Sequence, residues 1–394
     1  MKRVPLETQQ SCGHGAVCDF DNLYAAHVRA RCGKMRRREV VEFELSLSQS
    51  LVRLREELLR QAYGIAGHAH FVVTDPKRRD VYAPRYRDRV VRHALRDEVL
   101  APVLEPRLVY DYAASRRGKG THFALDRLAG FLRDFYRSHG TGGCMLKFDV
   151  RSCYRSIDHA ILKRLFDRCF YYDPRVRWLI GRVIDSFADA PGKGIPLGNQ
   201  ASSWFAISYL DGLDRLVKER QRLKRYSRYM DDGVAIHEDR DCLRQCLAQM
   251  RDCLRDERAL ELDQKTRIVP LSQGVDYLGF RLCVTDTGRV VRRLRTGNKR
   301  RVRRKLRRHG HAYREGKIGL EDASRSVRGY MAHLDRGTAG GWGRTCWGAW
   351  RPRARRPQGD VKCPMPDMNL NSSRKWATMG LQQIHSTREG RDAG

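Results

Sequence analysis

The sequence is poor in acidic residues and has no long apolar segment. Its 394 residues include 78 Lys and Arg but only 46 Asp and Glu, which gives a formal net charge of +32. No run of about 18 apolar residues is present, so a membrane-spanning helix is not expected. No apolar segment follows Met1-Lys2-Arg3, which argues against a secretory signal peptide. We therefore expect a cytoplasmic protein that does not bind membranes.

The cysteines lack the most common metal-binding pattern. None of the 12 cysteines forms a Cys-x2-Cys unit, which is the usual signature of a structural zinc site. Cys12, His14, Cys18 and Cys32 form a weaker zinc candidate. In a reducing compartment we expect the cysteines to be thiols rather than disulfides.

The surplus of positive charge favours a nucleic acid as the partner. A compact chain with such a charge repels itself and is stabilised by a polyanion. The densest region is 289–308, which has 12 basic residues in 20 and no acid. Because like charges at helical spacing destabilise a helix, we expect this segment to contact phosphates.

Tyr229-Met230-Asp231-Asp232 carries the most informative pair of acids. The surrounding residues predict a strand, a tight turn and a second strand over 225–236. Side chains alternate along a strand, so adjacent carboxylates can share one site only if a turn breaks the alternation. Two such carboxylates repel unless a cation lies between them. The pair is therefore either a solvated turn or part of a magnesium site.

Asp149 is the best candidate for a further carboxylate. It lies in the short apolar strand predicted over 146–150, just before a helix predicted over 157–169. Two-metal phosphoryl transfer needs carboxylates from separate strands to converge. Magnesium often uses only one or two carboxylates together with substrate phosphates. Asp149, Asp231 and the phosphates of a nucleotide would therefore be sufficient.

Six motifs, in order and over residues 38–335, resemble those of reverse transcriptases. They are the fingers motif in Asp75-Pro76-Lys77-Arg78-Arg79 and 87–91, the first catalytic motif in 148–154, the nucleotide- and template-contacting motif in 194–203, the signature box in 229–232, and the downstream motifs Lys265-Thr266 and Tyr277-Leu278-Gly279-Phe280. The resemblance implies an α+β right-hand polymerase, with fingers, a palm whose antiparallel sheet carries the catalytic Asp residues, and a basic helical thumb. It divides the chain into an N-terminal lead-in (1–37), fingers and palm (38–285), thumb (286–336) and a poorly ordered Gly-, Trp- and Arg-rich tail (337–394).

The resemblance also implies a role for each matched residue. The catalytic residues would be Asp149, Asp231, Asp232 and Lys265, which would protonate pyrophosphate. Two Mg²⁺ ions, for which Mn²⁺ could substitute, would be held by Asp149, Val150, Asp231 and Asp232. The incoming dNTP would contact Lys77, Arg79, Tyr154, Leu197 and Gly198, with Tyr154 as the steric gate against a 2′-hydroxyl. The primer and the RNA–DNA duplex would contact Tyr277, Leu278, Gly279, Arg300, Arg301, Arg303 and Arg304.

Leu197 indicates a subgroup. Many reverse transcriptases have Gln at this position, whereas Gly-Ile-Pro-Leu-Gly-Asn resembles the diversity-generating retroelements of bacteria and phages. Members copy a template-repeat RNA with errors at adenines and commonly use an accessory protein, here expected to be small and basic. An apolar side chain beside the nascent pair would relax discrimination. Ser203 departs from that group, which usually has Gln after Ser202.

Other functions stay open on the sequence alone. Retron, group II-like and phage-defence reverse transcriptases share the signature box. A non-enzymatic RNA-binding protein with a degenerate polymerase domain would have lost an acid, whereas Asp149, Asp231 and Asp232 are all present.

Overall fold

Helices and antiparallel strands make up the part of the chain that the computed structural model describes, which is residues 4–74, 78–319, 321–322, 324–325 and 328–329. The helices are α1 Leu6–Ser11, α2 His14–Cys18, α3 Phe20–Arg31, α4 Arg38–Leu45, α5 Leu47–Leu59, α6 Tyr86–Leu95, α7 Ala101–Leu104, α8 Thr121–His139, α9 Cys153–Ser156, α10 His159–Cys169, α11 Pro174–Asp185, α12 Gln200–Arg215, α13 Arg240–Asp252 and α14 Thr296–Arg314. The strands are β1 His68–Val73, β2 Arg79–Pro84, β3 Cys144–Asp149, β4 Arg225–Tyr229, β5 Asp232–His237, β6 Arg267–Pro270, β7 Val275–Tyr277, β8 Phe280–Val284 and β9 Val290–Leu294. Lys77 and the tail 337–394 lie outside the described residues.

A four-stranded antiparallel sheet, in the order β4-β5-β3-β6, is the centre of the fold. Alternation along β3 sends Leu146 and Phe148 into one core and Met145 into another. The first core contains α3, α5, α6 and α10 to α13, and the second contains α8 and the sheet β7-β8-β9. Helices therefore pack on one face of this palm sheet, and a helix with a second antiparallel sheet packs on the other, in agreement with the predicted α+β class.

Gly233 on β5 is required by close packing inside the palm sheet. It is the register partner of Phe148 on β3. A Cβ atom at position 233 would lie 2.1 Å from Cζ of Phe148, well inside van der Waals contact. The Phe148 ring thus packs directly over the residue that follows the two acids of the signature box, and any larger residue at 233 would displace it.

The N-terminal region differs from the loose lead-in predicted for 1–37. Residues Leu6 to Arg31 form three helices, and Leu23, Ala26 and Ala30 of α3 are fully buried. The periodic signal is weak because α1 and α2 are short and two of the four buried residues of α3 are alanines. This region is part of the main core.

In three other places the structure differs from the sequence pattern, whereas the hairpin expected over 225–236 and the helix expected over 157–169 are present. The apolar stripe over 38–63 is typical of one helix, but the helix is broken at Ser46 into α4 and α5. The apolar residues over 275–284 are typical of one strand, but the segment is a hairpin, because Leu278 and Gly279 both have positive φ, as a two-residue turn needs. The basic stretch 289–308 begins as strand β9, which pairs with β8, and becomes helical only at Thr296.

Strands β1 and β2 form a separate two-stranded hairpin. Of the predicted fingers motif, Arg79 begins β2 and residues 87–91 lie in α6, whereas Asp75, Pro76 and Lys77 lie outside the described residues. Within the described ranges, none of the helices is long and apolar enough to cross a membrane.

Candidate active site

Strand register brings the three predicted acids to one end of the palm sheet. Asp149, the last residue of β3, is the direct partner of Asp232, the first residue of β5. The Val150 amide donates a hydrogen bond to the Asp231 carbonyl at 3.0 Å. The Asp263 amide donates to the Asp149 carbonyl at 2.7 Å. The turn between β4 and β5 thus breaks the alternation, as predicted, and places Asp231 beside Asp149.

The turn itself has an unusual backbone that its neighbours hold in place. Met230 has φ of +55°, a left-handed conformation that few non-glycine residues adopt. The hydroxyl of Tyr112 donates to the Met230 sulfur at 3.4 Å, and that of Tyr154 lies 3.8 Å from the same atom. Arg228 Nη1 donates to the Met230 carbonyl at 2.5 Å.

Arg228 is fixed in turn by a fully buried ion pair. Its Nε and Nη2 donate to the two carboxylate oxygens of Asp214 on α12, at 2.7 and 2.5 Å. Tyr226 also donates to Asp214, at 2.7 Å. The guanidinium lies 4.5 Å from the centre of the Tyr112 ring. Both charges are paired and hydrogen-bonded, as burial requires. The pair links α12 to the turn between β4 and β5, which contains Met230 and Asp231 and which we call the catalytic turn.

The pKa values of Asp149 and Asp231 are both raised, mainly because the two carboxylates are buried. Burial, together with the nearby Asp231 carboxylate, raises the pKa of Asp149 to about 6. Burial also raises the pKa of Asp231, although Arg228, Lys147 and Arg79 oppose this. A divalent cation between these two carboxylates would remove their repulsion and favour the ionised forms.

Lys147 is the positive charge nearest to these acids on β3. It lies on the same strand face as Asp149, diagonally opposite Asp232, and its ammonium contacts the Asp232 carboxylate. Burial lowers the pKa of Lys147 to about 8, although Asp149 and Asp231 oppose this. The Nζ atom also lies 5.2 Å from the centre of the Tyr277 ring.

The donor set fits a divalent metal that also binds substrate phosphates. Among the described residues, no group of three or more His, Cys, Asp or Glu side chains is placed to hold a metal by itself. Asp149 and Asp231 offer hard oxygen ligands, whereas Asp232 contacts Lys147. Val150 has a buried side chain and an amide that is already bonded, so only its carbonyl could coordinate. Two carboxylates plus phosphate oxygens are a common arrangement for Mg²⁺.

Four of the residues predicted to contact a nucleotide, Arg79, Tyr154, Leu197 and Gly198, are described, and they lie in β2, α9 and the loop before α12. The Ile195 amide donates to the Tyr154 carbonyl at 2.8 Å, which joins the first catalytic motif to the loop containing Leu197 and Gly198. Gly198 has φ of +93°, and a Cβ atom there would lie 2.9 Å from Val81 on β2. Arg79, the first residue of β2, is exposed and lies close enough to Asp231 to lower its pKa.

The predicted primer residues lie in the hairpin of β7 and β8 and in α14. Tyr277 is buried beneath Lys147, and Leu278 and Gly279 form the turn between β7 and β8. The Gly279 carbonyl accepts a hydrogen bond from the Asn298 side chain at 2.9 Å, which links this turn to α14. On α14, the basic side chains at 300, 303 and 304 are exposed, Arg301 is half-buried, and Val302 and Leu306 are buried.

Lys265 lies in the loop that the Asp263 amide anchors to Asp149. Its side chain is exposed, with Nζ 3.7 Å from the Asp263 carboxylate. Lys265 is therefore close enough to Asp149 to act on its pKa, while its side chain is exposed to solvent.

Sequence reasoning missed Lys147, Arg228 and Asp214. The period of two along a strand could have placed Lys147 on the face of Asp149. For Arg228 and Asp214 no local signal exists, because the two residues are brought together by the packing of α12 on β4.

One family model agrees with the motifs. The family model for reverse transcriptase (RNA-dependent DNA polymerase) matches residues 76–282, which is more than half of the chain. No curated protein matches the chain. Similar solved structures include a telomerase from Candida albicans in complex with a fragment of telomeric RNA, at 13% identity and a TM-score of 0.44, with 63% of this chain and 50% of that chain covered.

Two telomerase structures from Candida tropicalis are also similar. The apo enzyme has 14% identity and a TM-score of 0.42, with 58% of this chain and 48% of that chain covered. A form truncated from its C-terminal domain has 14% identity and a TM-score of 0.44, with 58% and 55% covered. The chain thus spans about half the length of these proteins. On the family match, which includes all three acids at the end of the palm sheet, the chain belongs to the reverse transcriptase (RNA-dependent DNA polymerase) family.

Proposed function

We propose that this protein is an RNA-directed DNA polymerase that copies an RNA template into cDNA by two-metal-ion nucleotidyl transfer. The observation that carries the proposal is the register pairing of Asp149 with Asp232 beside Asp231. This pairing gathers three carboxylates at one end of the palm sheet. Arg79 of β2 is close enough to act on the Asp231 carboxylate, and Tyr277 of β7 contacts Lys147 beside the acids. Family membership and the +32 net charge support nucleic acid as the substrate.

The residues of the chain divide the work of the reaction. Asp149 and Asp231 are the principal metal ligands, and Arg79, with Lys77, binds the triphosphate through charge-assisted hydrogen bonds. Bound Mg²⁺ or Mn²⁺ would activate the primer 3′-hydroxyl and stabilise the leaving pyrophosphate. Lys265 protonates that pyrophosphate once its exposed side chain turns toward it. Tyr154, held beside Met230, excludes a 2′-hydroxyl.

The two remaining roles concern Asp232 and the duplex. Asp232 pairs with Lys147 and acts as the second acid of the box. The Tyr277-Leu278-Gly279 turn supports the primer end, and the exposed arginines of α14 hold the RNA–DNA duplex by its backbone. In this scheme 38–285 are fingers and palm, and 286–336 are the thumb.

Primer extension tests this function. The purified full-length chain, with Mg²⁺ and dNTPs, is expected to extend a DNA primer on an RNA template, and EDTA is expected to stop the reaction. Replacing dNTPs by rNTPs should give little product if Tyr154 is the gate. The absence of any RNA-templated extension, with either Mg²⁺ or Mn²⁺, would contradict the proposal.

We further propose that the copying is error-prone and serves targeted diversification, as in diversity-generating retroelements. Leu197 supports this, because it is a half-buried apolar side chain next to Gly198, in the loop bonded to Tyr154. The template would be a template-repeat RNA, and a small basic accessory protein would assist in a bacterial or phage-infected cytoplasm. A retron, group II-like or phage-defence enzyme would share the chemistry but not the adenine-directed errors.

The variant Leu197→Gln is expected to lower the error rate at template adenines by about tenfold, because it restores a hydrogen-bonding side chain where discrimination is set. Sequencing cDNA made on one RNA by the wild type and the variant measures this. Leu197→Met is the matched control, since it keeps an apolar side chain and should keep the errors. If all three proteins err equally at adenines, Leu197 does not set fidelity.

A further inference from the structure

The basic, glycine-rich segment Ser115 to Gly120 forms an ordered loop near the catalytic turn. Ser115, Gly118 and Gly120 all have positive φ, and a Cβ atom at either glycine would meet nothing within 4 Å. Arg116 anchors the loop, because its Nη1 donates to the Val109 carbonyl at 3.0 Å and its Nε lies 3.3 Å from Glu105. Arg117, by contrast, is exposed.

This loop forms one wall of an open groove of about 790 Å³. The other walls come from α3, α7 with the turn before it, and the first turn of α12; we call this the loop groove, lined by Arg29, Arg96, Arg116, Arg117, Gln200 and Trp204. Its only acids among the described residues are Asp97 and Glu105. Arg29 and Arg96 contact Asp97, Arg116 contacts Glu105, and Arg29 also lies 3.8 Å from Glu98. The four arginines exceed these three acids by one positive charge, which the exposed Arg117 can present to a phosphate backbone.

An exposed aromatic ring lies on the other side of the same loop. Tyr110 has 63% of its surface exposed. The Lys119 ammonium lies 3.9 Å from the centre of this ring, and the Phe123 ring packs edge-on at 5.8 Å. Arg127 lies 5.4 Å from it. A fixed aromatic ring framed by cations is a platform on which an unpaired base can stack.

The loop groove and Tyr110 both adjoin, along the chain, residues that lie close to the catalytic turn. Gln200 follows Gly198 by two residues and accepts a hydrogen bond from Arg96 at 3.2 Å. Tyr112, two residues after Tyr110, contacts Met230 of the catalytic turn. A strand in the loop groove would therefore lie beside Gln200 at the start of α12, two residues from Gly198 of the nucleotide loop. The Tyr110 ring contacts Lys119 of the loop that forms one wall of the groove.

We propose that the loop groove and Tyr110 bind the single-stranded part of the RNA template before it is copied. This inference rests on the proposed polymerase function and assigns a path to its substrate. A double helix would not use Tyr110, because its bases are stacked on one another and its backbone alone is presented. An unpaired strand offers both phosphates and free base faces.

Equilibrium binding in EDTA tests the path without requiring catalysis. A labelled DNA primer is annealed to RNA that either ends flush or extends by about ten unpaired nucleotides, within the span that single-strand sites cover. The double variant Tyr110→Ser/Arg117→Gln is expected to weaken binding of the extended RNA at least about tenfold, from the lost stacking and phosphate contact. Binding of the flush duplex should stay within about twofold of wild type, since its contacts lie elsewhere.

Two controls keep the result interpretable. Arg53→Gln removes the same charge from exposed α5 and should weaken both RNAs equally and slightly. Arg117→Glu changes only an exposed side chain, so it preserves the test if Tyr110→Ser proves unstable, and it too should act on the extended RNA alone.

The outcomes separate this proposal from the polymerase function. If the double variant binds only the extended RNA more weakly, the proposed template path is supported. If it binds both RNAs equally more weakly, or neither more weakly, the path is wrong even if the wild type extends primers. If binding of the extended RNA alone is weakened but the wild type cannot extend primers, the RNA-binding site stands and the polymerase proposal is wrong.

Discussion

Asp231→Asn is expected to reduce the rate of RNA-templated primer extension by at least about a thousandfold, because a metal-binding carboxylate contributes several kcal/mol to transition-state stabilisation. Asp149→Asn should have the same effect, since Asp231 is close enough to raise the pKa of Asp149 and the two carboxylates are the proposed ligands of one metal site. Asparagine keeps the shape of the side chain, so the fold and the binding of primer–template should be unchanged. Single-turnover extension, together with binding of the same duplex, measures the two effects separately.

Asp232→Asn is expected to be less damaging than either of these. The Asp232 carboxylate already contacts Lys147, so less of its charge is free to bind a metal. Asp134→Asn, on the exposed side of α8, is the control and should behave as wild type. Equal activity of the wild type and both Asp149→Asn and Asp231→Asn would refute the assignment of the active site.

Arg228→Met is expected to lower the free energy of unfolding by about 3–5 kcal/mol, because it leaves the buried charge of Asp214 without its partner. The variant also removes the hydrogen bond to the Met230 carbonyl, so any folded fraction should extend primers poorly. Urea denaturation followed by circular dichroism measures the stability. The double variant Arg228→Met/Asp214→Leu removes both charges and should recover more than half of the lost stability.

An exposed pair of the same type is the comparison for this result. Arg244 and Asp241 lie 2.6 Å apart on the surface of α13, and Arg244→Met should cost less than about 1 kcal/mol. If Arg228→Met were no more costly than Arg244→Met, the buried pair would not be what holds the catalytic turn.

The sequence predicted the parts of the site that depend on local pattern. The hairpin around Asp231, the strand ending near Asp149 and the helices after each were recognisable because hydrophobic period and motif order agree there. The convergence of Asp149 with Asp231 was expected because a two-metal site needs carboxylates from separate strands, whereas the pairing of Asp149 with Asp232 came from the structure. These features are encoded within about twenty residues of each acid.

The remaining features depend on contacts between distant segments. Arg228 meets Asp214 only because α12 packs against β4, and Lys147 gains its importance from the register of β3 with β5. The N-terminal helices were missed because alanines supply much of the buried face of α3, which gives little periodic signal. The loop groove combines α3, α7 and α12 with a loop that reads in sequence only as basic and flexible.

The two cores on opposite faces of the palm sheet have a mechanical consequence. The core on one face includes Tyr86 and Val90 of α6, while the core on the other includes Tyr277 and Phe280, which flank the turn between β7 and β8. Because the strands of the sheet lie between the two cores, each core can repack without displacing the other. A shift of α6 on one face, or of the β7–β8 turn on the other, would therefore leave the register pairing of Asp149 with Asp232 unchanged.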